Sequence, residues 1–189
     1  MILKERQLYD GTLIHNRFAY KHARKTVFPL GDILIFRGPM NVEAAGMIDS
    51  EDLLTNDYIY SDDAINICWE IPNLDPLGAV FFQRHFNGMI ASVLRSQYNI
   101  PTSIDGDDIM VWSEKEENRR KASVSITLVK NNVALGHTGI NIVAGSKAPS
   151  FAYSTNLTDK QADALMKGIE AMFYEFLYDA FIATTKVIT

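Results

Sequence analysis

Sulfur is scarce in this sequence, basic charge is in the minority, and long apolar runs are missing. Of 189 residues one is a cysteine, Cys68. A single thiol cannot close an internal disulfide, and a cysteine-rich zinc module needs several sulfurs. Lysine and arginine number 18 against 23 aspartates and glutamates, a formal net charge of -5. That balance argues against a nucleic-acid partner, which is met by a basic stripe. No run approaches the roughly 20 apolar residues that span a bilayer. Met1-Ile2-Leu3-Lys4-Glu5-Arg6 is charged too early for a secretory signal. What is present is enough apolar residue, 47% of the chain, to fill one core. The expectation is one soluble, cytoplasmic domain over residues 1–189, with no nucleic-acid and no membrane partner.

The punctuation along the chain predicts its elements. Ile33-Leu34-Ile35-Phe36 is started by Gly31-Asp32 and stopped by Gly38-Pro39, and reads as a central strand buried on both faces. Tyr9-Asp10-Gly11 reads as a turn between two short strands. Ser50-Glu51-Asp52 starts a helix capped by Asp49 or Ser50. Residues 65–71 alternate as a half-buried strand ended by Pro72. Asp75 as cap and Pro76 at the first helical position open a long helix to about Gln97, closed by Ile100-Pro101. Three strands follow and read as an antiparallel meander: 108–112, 122–129, and a third over 133–143 interrupted by His137-Thr138-Gly139. The mixed-charge stretch from Trp112 to Arg120 reads as a hairpin loop. Thr158-Asp159-Lys160-Gln161 is a capping box ahead of a broad-faced apolar helix to about Thr184. Strands and helices segregated in this way give an α+β class.

Candidate chemistry gathers around those three strands. Asp105-Gly106-Asp107-Asp108 precedes the first, Lys121 begins the second, and His137-Thr138-Gly139-Ile140-Asn141 lies inside the third. A lysine at a strand end can neutralise a carboxylate or phosphate, and glycine lets a ligand approach. From spacing alone the plainer reading prevails: the acids form a turn and Lys121 is a solvated flank of Arg119-Arg120-Lys121. Arg37 and Gly38 either emerge beside a ligand or pair with an acid such as Asp49 or Asp52. Asp49, Asp52, Asp62, Asp63 and Asp107 either gather around a divalent cation or serve as caps and turns. His137 either reaches Lys121 through the strand break or is a satisfied core histidine. His85 reads as a packing or subunit contact, and Cys68 as a small buried hydrophobe. Phe81, Phe82 and the stripe Phe173, Tyr174, Phe176, Tyr178, Phe181 read mostly as core, with a subunit interface along the last helix.

The runs Asp107-Asp108-Ile109-Met110-Val111, Lys121-Ala122-Ser123-Val124-Ser125-Ile126 and Gly139-Ile140-Asn141-Ile142 resemble the biotin and lipoate protein ligases. In that pattern an Asn-Asp pair leads a strand, a lysine precedes small residues on the next, and a Gly-Ile-Asn strand completes the set. Nearly end to end, the chain resembles an uncharacterised, largely prokaryotic group, domain-of-unknown-function family 366. That likeness runs through Phe36-Arg37-Gly38-Pro39, Met47-Ile48-Asp49-Ser50-Glu51-Asp52, Gln83-Arg84, Gly106-Asp107-Asp108, Lys121 to Ile126, and His137 to Asn141.

The ligase resemblance implies a mainly antiparallel sheet packed by helices. It also implies that Lys121 bridges an acid's carboxylate and an adenylate phosphate, with Asp108 near the nucleotide or its metal. A fixed cation there favours a transition state in which negative charges meet. The chain departs from those ligases in three ways. Their Gly- and Arg-rich phosphate loop is reduced to Arg37-Gly38-Pro39, Asp107 stands where they have Asn, and no acceptor-recognition appendage is visible.

The expected site therefore has Lys121 in the catalytic place. Arg37, Gly38, Asp108, His137, Gly139 and Asn141 bind a nucleotide or small carboxylic acid, with no metal ligand assigned and the cofactor unspecified. The alternatives are a non-catalytic homo-oligomeric module that has lost the phosphate loop, and metal-dependent hydrolysis by the aspartates.

Overall fold

The computed structural model describes residues 1–23, 29–55, 57–113 and 118–186. The helices are α1 (Thr12–His15), α2 (Phe18–Ala23), α3 (Ser50–Thr55), α4 (Pro76–Tyr98) and α5 (Asp159–Thr185), with a 3-10 turn at Ala44–Gly46. Strands β1 (Asp32–Val42), β2 (Ile59–Pro72), β6 (Ser123–Lys130) and β7 (Val133–Val143) form an antiparallel sheet in the order β1-β2-β7-β6. Strands β3 (Thr102–Asp105), β4 (Asp108–Ser113) and β5 (Asn118–Lys121) form a second, three-stranded sheet. The architecture is α+β, with antiparallel sheets packed by helices.

The period-2 alternation of β1 and β2 sorts the core onto the two faces of the larger sheet. Ile33, Ile35, Ile65, Ile67, Trp69 and Ile71 join Phe82, Phe86 and Ile90 of α4 and Phe173 of α5. On the other face Leu34, Phe36, Met40, Ala64 and Cys68 meet Tyr9, Phe18 and Ala19. Strand β2 is buried from Ala64 to Ile71 rather than half-buried, because both faces are covered. Burying a side chain such as Phe86 stabilises the fold by about 1.5–3 kcal/mol. The long helices are fixed at their ends as their sequences predict. Asp75 accepts from the Gly78 amide at 2.6 Å ahead of Pro76, and the Thr158–Gln161 box is closed in both directions. Asn99, in the left-handed conformation at φ 55, ends α4 before Ile100-Pro101.

Four expectations are corrected. β1 is the first strand of its sheet rather than a central one, and it runs through Gly38-Pro39 with a register shift between Gly38 and Met40. Its outer edge is covered by residues 1–9, whose Leu3, Gln7 and Tyr9 amides donate to carbonyls of Ile35, Arg37 and Pro39. Tyr9-Asp10-Gly11 leads into α1 rather than between strands. The three-strand meander is split: β4 pairs with β5 in the small sheet, and at Ala122 the chain crosses to pair β6 with β7. The expected loop from Trp112 to Arg120 is partly strand, and its centre, 114–117, lies outside the described residues.

Candidate functional site

Two strand ends bring Lys121 to Asp108. Gly106, at φ 61, makes a two-residue hairpin turn with Asp107, which a residue without Cβ enters at least cost. β4 then begins at Asp108, beside the end of β5 at Lys121. Lys121 Nζ lies 2.8 Å from Asp108 Oδ2 and 5.9 Å from the centre of the Phe151 ring. The Lys121 backbone is held on both sides, its amide donating to the Phe151 carbonyl at 2.7 Å and its carbonyl accepting from Tyr153 at 2.8 Å. From α4, Gln83 Nε2 donates to Asp107 Oδ2 at 3.0 Å, and Asn87 Nδ2 donates to the Asp107 carbonyl at 2.8 Å. The turn carrying the acids is thus tied to the buried face of the long helix.

The opposite wall comes from β7, which is unbroken through His137-Thr138-Gly139. His137 is buried and lies flat against Tyr9, ring centres 3.5 Å apart. Asn66 donates to the Gly38 carbonyl, which turns its Oδ1 toward His137, and His137 Nε2 donates to it at 3.0 Å. Burial pushes the His137 pKa down to about 3, so the imidazole is neutral. His137 is therefore a satisfied core histidine on the pocket wall, and the room expected from a strand break does not exist. Asn141, two pleats along the same face, is 3% exposed and donates from Nδ2 to the Lys121 carbonyl at 3.5 Å.

Between these walls lies a cavity of about 290 Å³. Its apolar lining includes Val42, Met47, Ile59, Val124 and Phe151. Its charged lining is one-sided: Asp49, Glu51, Asp52, Asp57, Asp107 and Asp108 against Lys121. Burial disfavours the Lys121 ammonium, but the carboxylates of Asp108, Asp107 and Asp52 outweigh it and hold its pKa above the usual value. Asp108 is shifted up, burial exceeding the help from Lys121. Asp52 is also shifted up, by burial and then by Asp49. Asp49 caps α3 as expected, accepting from the Glu51 amide at 2.8 Å.

Three expected site residues fall elsewhere. Arg37 shares its face of β1 with Ile33 and Ile35, opposite to Phe36 and Met40, so it points away from His137. It donates to Asp63 at 2.6 Å and Asp159 at 2.8 Å, not to Asp49 or Asp52. Gly38 is packed so closely on the backbone of Gln7 that any side chain would overlap its carbonyl. Gly139 lies beneath the Met40 sulfur and the His137 ring, and is packing rather than cavity wall. The aspartates do not converge on a cation: Asp63 serves Arg37, Asp62 accepts from the Tyr60 hydroxyl at 2.9 Å, and no group of three His, Cys, Asp or Glu among the described residues is placed to hold a metal. No described helix is long and apolar enough to cross a membrane.

A family model described as a domain of unknown function, DUF366, matches residues 1–188. The chain belongs to this family. It is similar to an uncharacterised protein of Methanocaldococcus jannaschii, 28% identical over 176 residues that cover 89% of this chain and 75% of that one. A solved protein of unknown function from Pyrococcus horikoshi superposes with a TM-score of 0.77 at 26% identity, covering 100% of this chain and 97% of that one. The P. falciparum protein LipL1, solved in complex with lipoate, gives a TM-score of 0.60 at 16% identity, over 94% of this chain and 61% of that one. A biotin protein ligase from Aquifex aeolicus, solved with biotin, gives 0.56 at 13% identity, over 94% and 71%. At such identities the likeness is one of fold, and it bears out the ligase-like architecture.

In this DUF366 chain one wall residue, Tyr9, and three residues that hold the wall from behind, Asn66, Gln83 and Asn87, were not assigned to the site from the sequence. Tyr9 reads as part of a turn, and Asn66 as one polar position of a strand. Gln83 and Asn87 carried a signal of their own: two amides spaced i, i+4 on a helix face otherwise made of Phe82, Phe86 and Ile90. Polar groups on a core-facing stripe are placed there to hold something, and here they hold the Asp107 turn.

Proposed function

We propose that this protein binds a small carboxylic acid in the Lys121 cavity, with the ammonium as counter-charge and the apolar wall receiving the acid's chain. The observation that carries the reading is the position of Lys121. It is the one lysine or arginine on the described wall of a cavity whose other charged lining is acidic, half-buried at 35% side-chain exposure. A desolvated ammonium attracts a carboxylate far more strongly than one in open water. Lipoate and biotin, found in LipL1 and the Aquifex ligase, are acids of this kind, and the shared fold supports the comparison. A nucleotide triphosphate fits less well, since its several negative charges would face six carboxylates.

Calorimetric titration of hexanoate, octanoate, lipoate and biotin into the wild type and Lys121→Met tests the proposal. Saturable binding of at least one acid, lost in Lys121→Met, is expected. Absence of binding by every acid, or equal binding by the variant, contradicts it.

A second reading, a homo-oligomeric module, draws on one face of the helices. α4 and α5 run antiparallel, with His85 stacked on Phe176 and the Tyr98 hydroxyl donating to the Gln161 carbonyl. Leu77 and Phe81 at the start of α4, and Tyr178, Phe181 and Ile182 near the end of α5, are exposed rather than core. Light scattering that gives a dimer mass, converted to monomer by Phe81→Glu, supports this reading; a monomeric wild type removes it.

A further inference from the structure

We infer that the ligand of this cavity is an apolar α-amino acid, whose ammonium group is met by Asn141 and the surrounding carboxylates while its carboxylate is met by Lys121. This rests on the carboxylate reading above and adds to it the second charge.

Two independent observations carry it. The first is electrostatic. Lys121 is already matched by Asp108, so the remaining lining carboxylates, Asp49, Glu51, Asp52, Asp57 and Asp107, share that one ammonium and have no second cationic side chain on the described wall. A simple carboxylate entering such a cavity adds charge of the sign already in excess. A zwitterion brings its own cation and enters without net charge.

The second is an acceptor with nothing to accept. Asn141 lines the cavity at 3% exposure, and its Oδ1 has no hydrogen-bonding protein partner among the described residues. The amide cannot be satisfied by turning over, because its Nδ2 is aimed at the Lys121 carbonyl. A buried carbonyl oxygen on a cavity wall calls for an N–H donor, and an ammonium is the strongest one.

The two charges of the ligand must lie close together. Asn141 is one hydrogen bond from the Lys121 backbone, and Asp107 is next in the chain to Asp108, whose Oδ2 is 2.8 Å from the Lys121 ammonium. Adjacent charges of opposite sign are the arrangement of an α-amino acid rather than of a long ω-amino acid. The side chain would then lie along Val42, Met47, Ile59, Val124 and Phe151.

Isothermal titration with hexanoate, norleucine and pentylamine tests the inference, since the three share a chain and differ in the charges on it. Norleucine is expected to bind about tenfold tighter than hexanoate, the worth of one charge-assisted hydrogen bond. Asn141→Leu should erase that advantage, read as the ratio of norleucine to hexanoate affinity within the variant, and Asp52→Asn, on a short exposed helix, should reduce it if Asn141→Leu does not fold. Hexanoate binding as tightly as norleucine overturns the amino acid and leaves the acid-binding reading standing. Pentylamine binding as tightly as norleucine overturns the zwitterion. No binding by any of the three overturns both readings.

Discussion

His137 stacks on Tyr9 with ring centres 3.5 Å apart and planes 8° from parallel, in a site from which solvent is excluded. Burial that keeps the imidazole neutral makes it a liability in acid. In the unfolded chain it takes a proton near pH 6.5, whereas in the fold it does so only near pH 3. Between those values the unfolded state binds the extra proton, so stability falls as the pH drops from about 6.5 toward 3. The loss should be about 2 kcal/mol at pH 5 relative to pH 7.5. His137→Gln, which retains a donor for Asn66, should flatten the profile by that amount in denaturant titrations at the two pH values. Parallel profiles for the two proteins would place the acid sensitivity elsewhere.

Asp108 competes with any anionic ligand for Lys121. Asp108→Asn removes the competing charge while keeping the side chain's size, and should raise hexanoate affinity about tenfold, or about 1.4 kcal/mol. Calorimetry reads the change directly. Unaltered affinity would mean that the ammonium does not meet the acid.

Arg37 serves the fold and not the cavity. It joins β1 to Asp63 on β2 and to the first residue of α5. Arg37→Met should cost about 1.5–3 kcal/mol, chiefly through the half-buried bond to Asp63, because Asp159 is largely in solvent. Acid affinity should be unchanged. A variant of full stability that no longer binds acid would return Arg37 to the site.

Glycines of this chain respond to a methyl group with opposite signs. At Gly136 it would overlap the Trp69 indole, and Gly136→Ala should destabilise by at least about 1–3 kcal/mol. At Gly88, inside α4, it would meet nothing within 4 Å, and Gly88→Ala should stabilise by about 0.5–1 kcal/mol. Thermal melts of the two variants on either side of the wild type check the pair; a shift of the same sign in both would not fit this packing.

Local chemistry was the legible part of the chain. Asp75-Pro76 and Thr158–Gln161 mark helix starts because a cap is made within three residues, so the sequence carries the whole interaction. The family resemblance drew Lys121 and Asp108 to one site, but their ion pair was not legible, since the partner lies across a hairpin. Which sheet a strand joins is not a local property. Periodicity therefore found β4 and β6 but not the crossing at Ala122 that separates them. Parity held more than was taken from it: Arg37 follows Ile33 and Ile35 on one face of β1, which already turned it from the other face. Gly139 looked like a strand break because glycine often is one, whereas β7 uses it to admit Met40 and His137.

The central claim is that Lys121 holds the ligand's carboxylate, and a crystal structure of the protein grown with norleucine or hexanoate tests it most directly. The account predicts ligand density in the cavity with a carboxylate oxygen about 2.8 Å from Lys121 Nζ and the chain against Val124 and Phe151. A ligand bound elsewhere, or an occupied cavity in which Lys121 still contacts only Asp108, would contradict it.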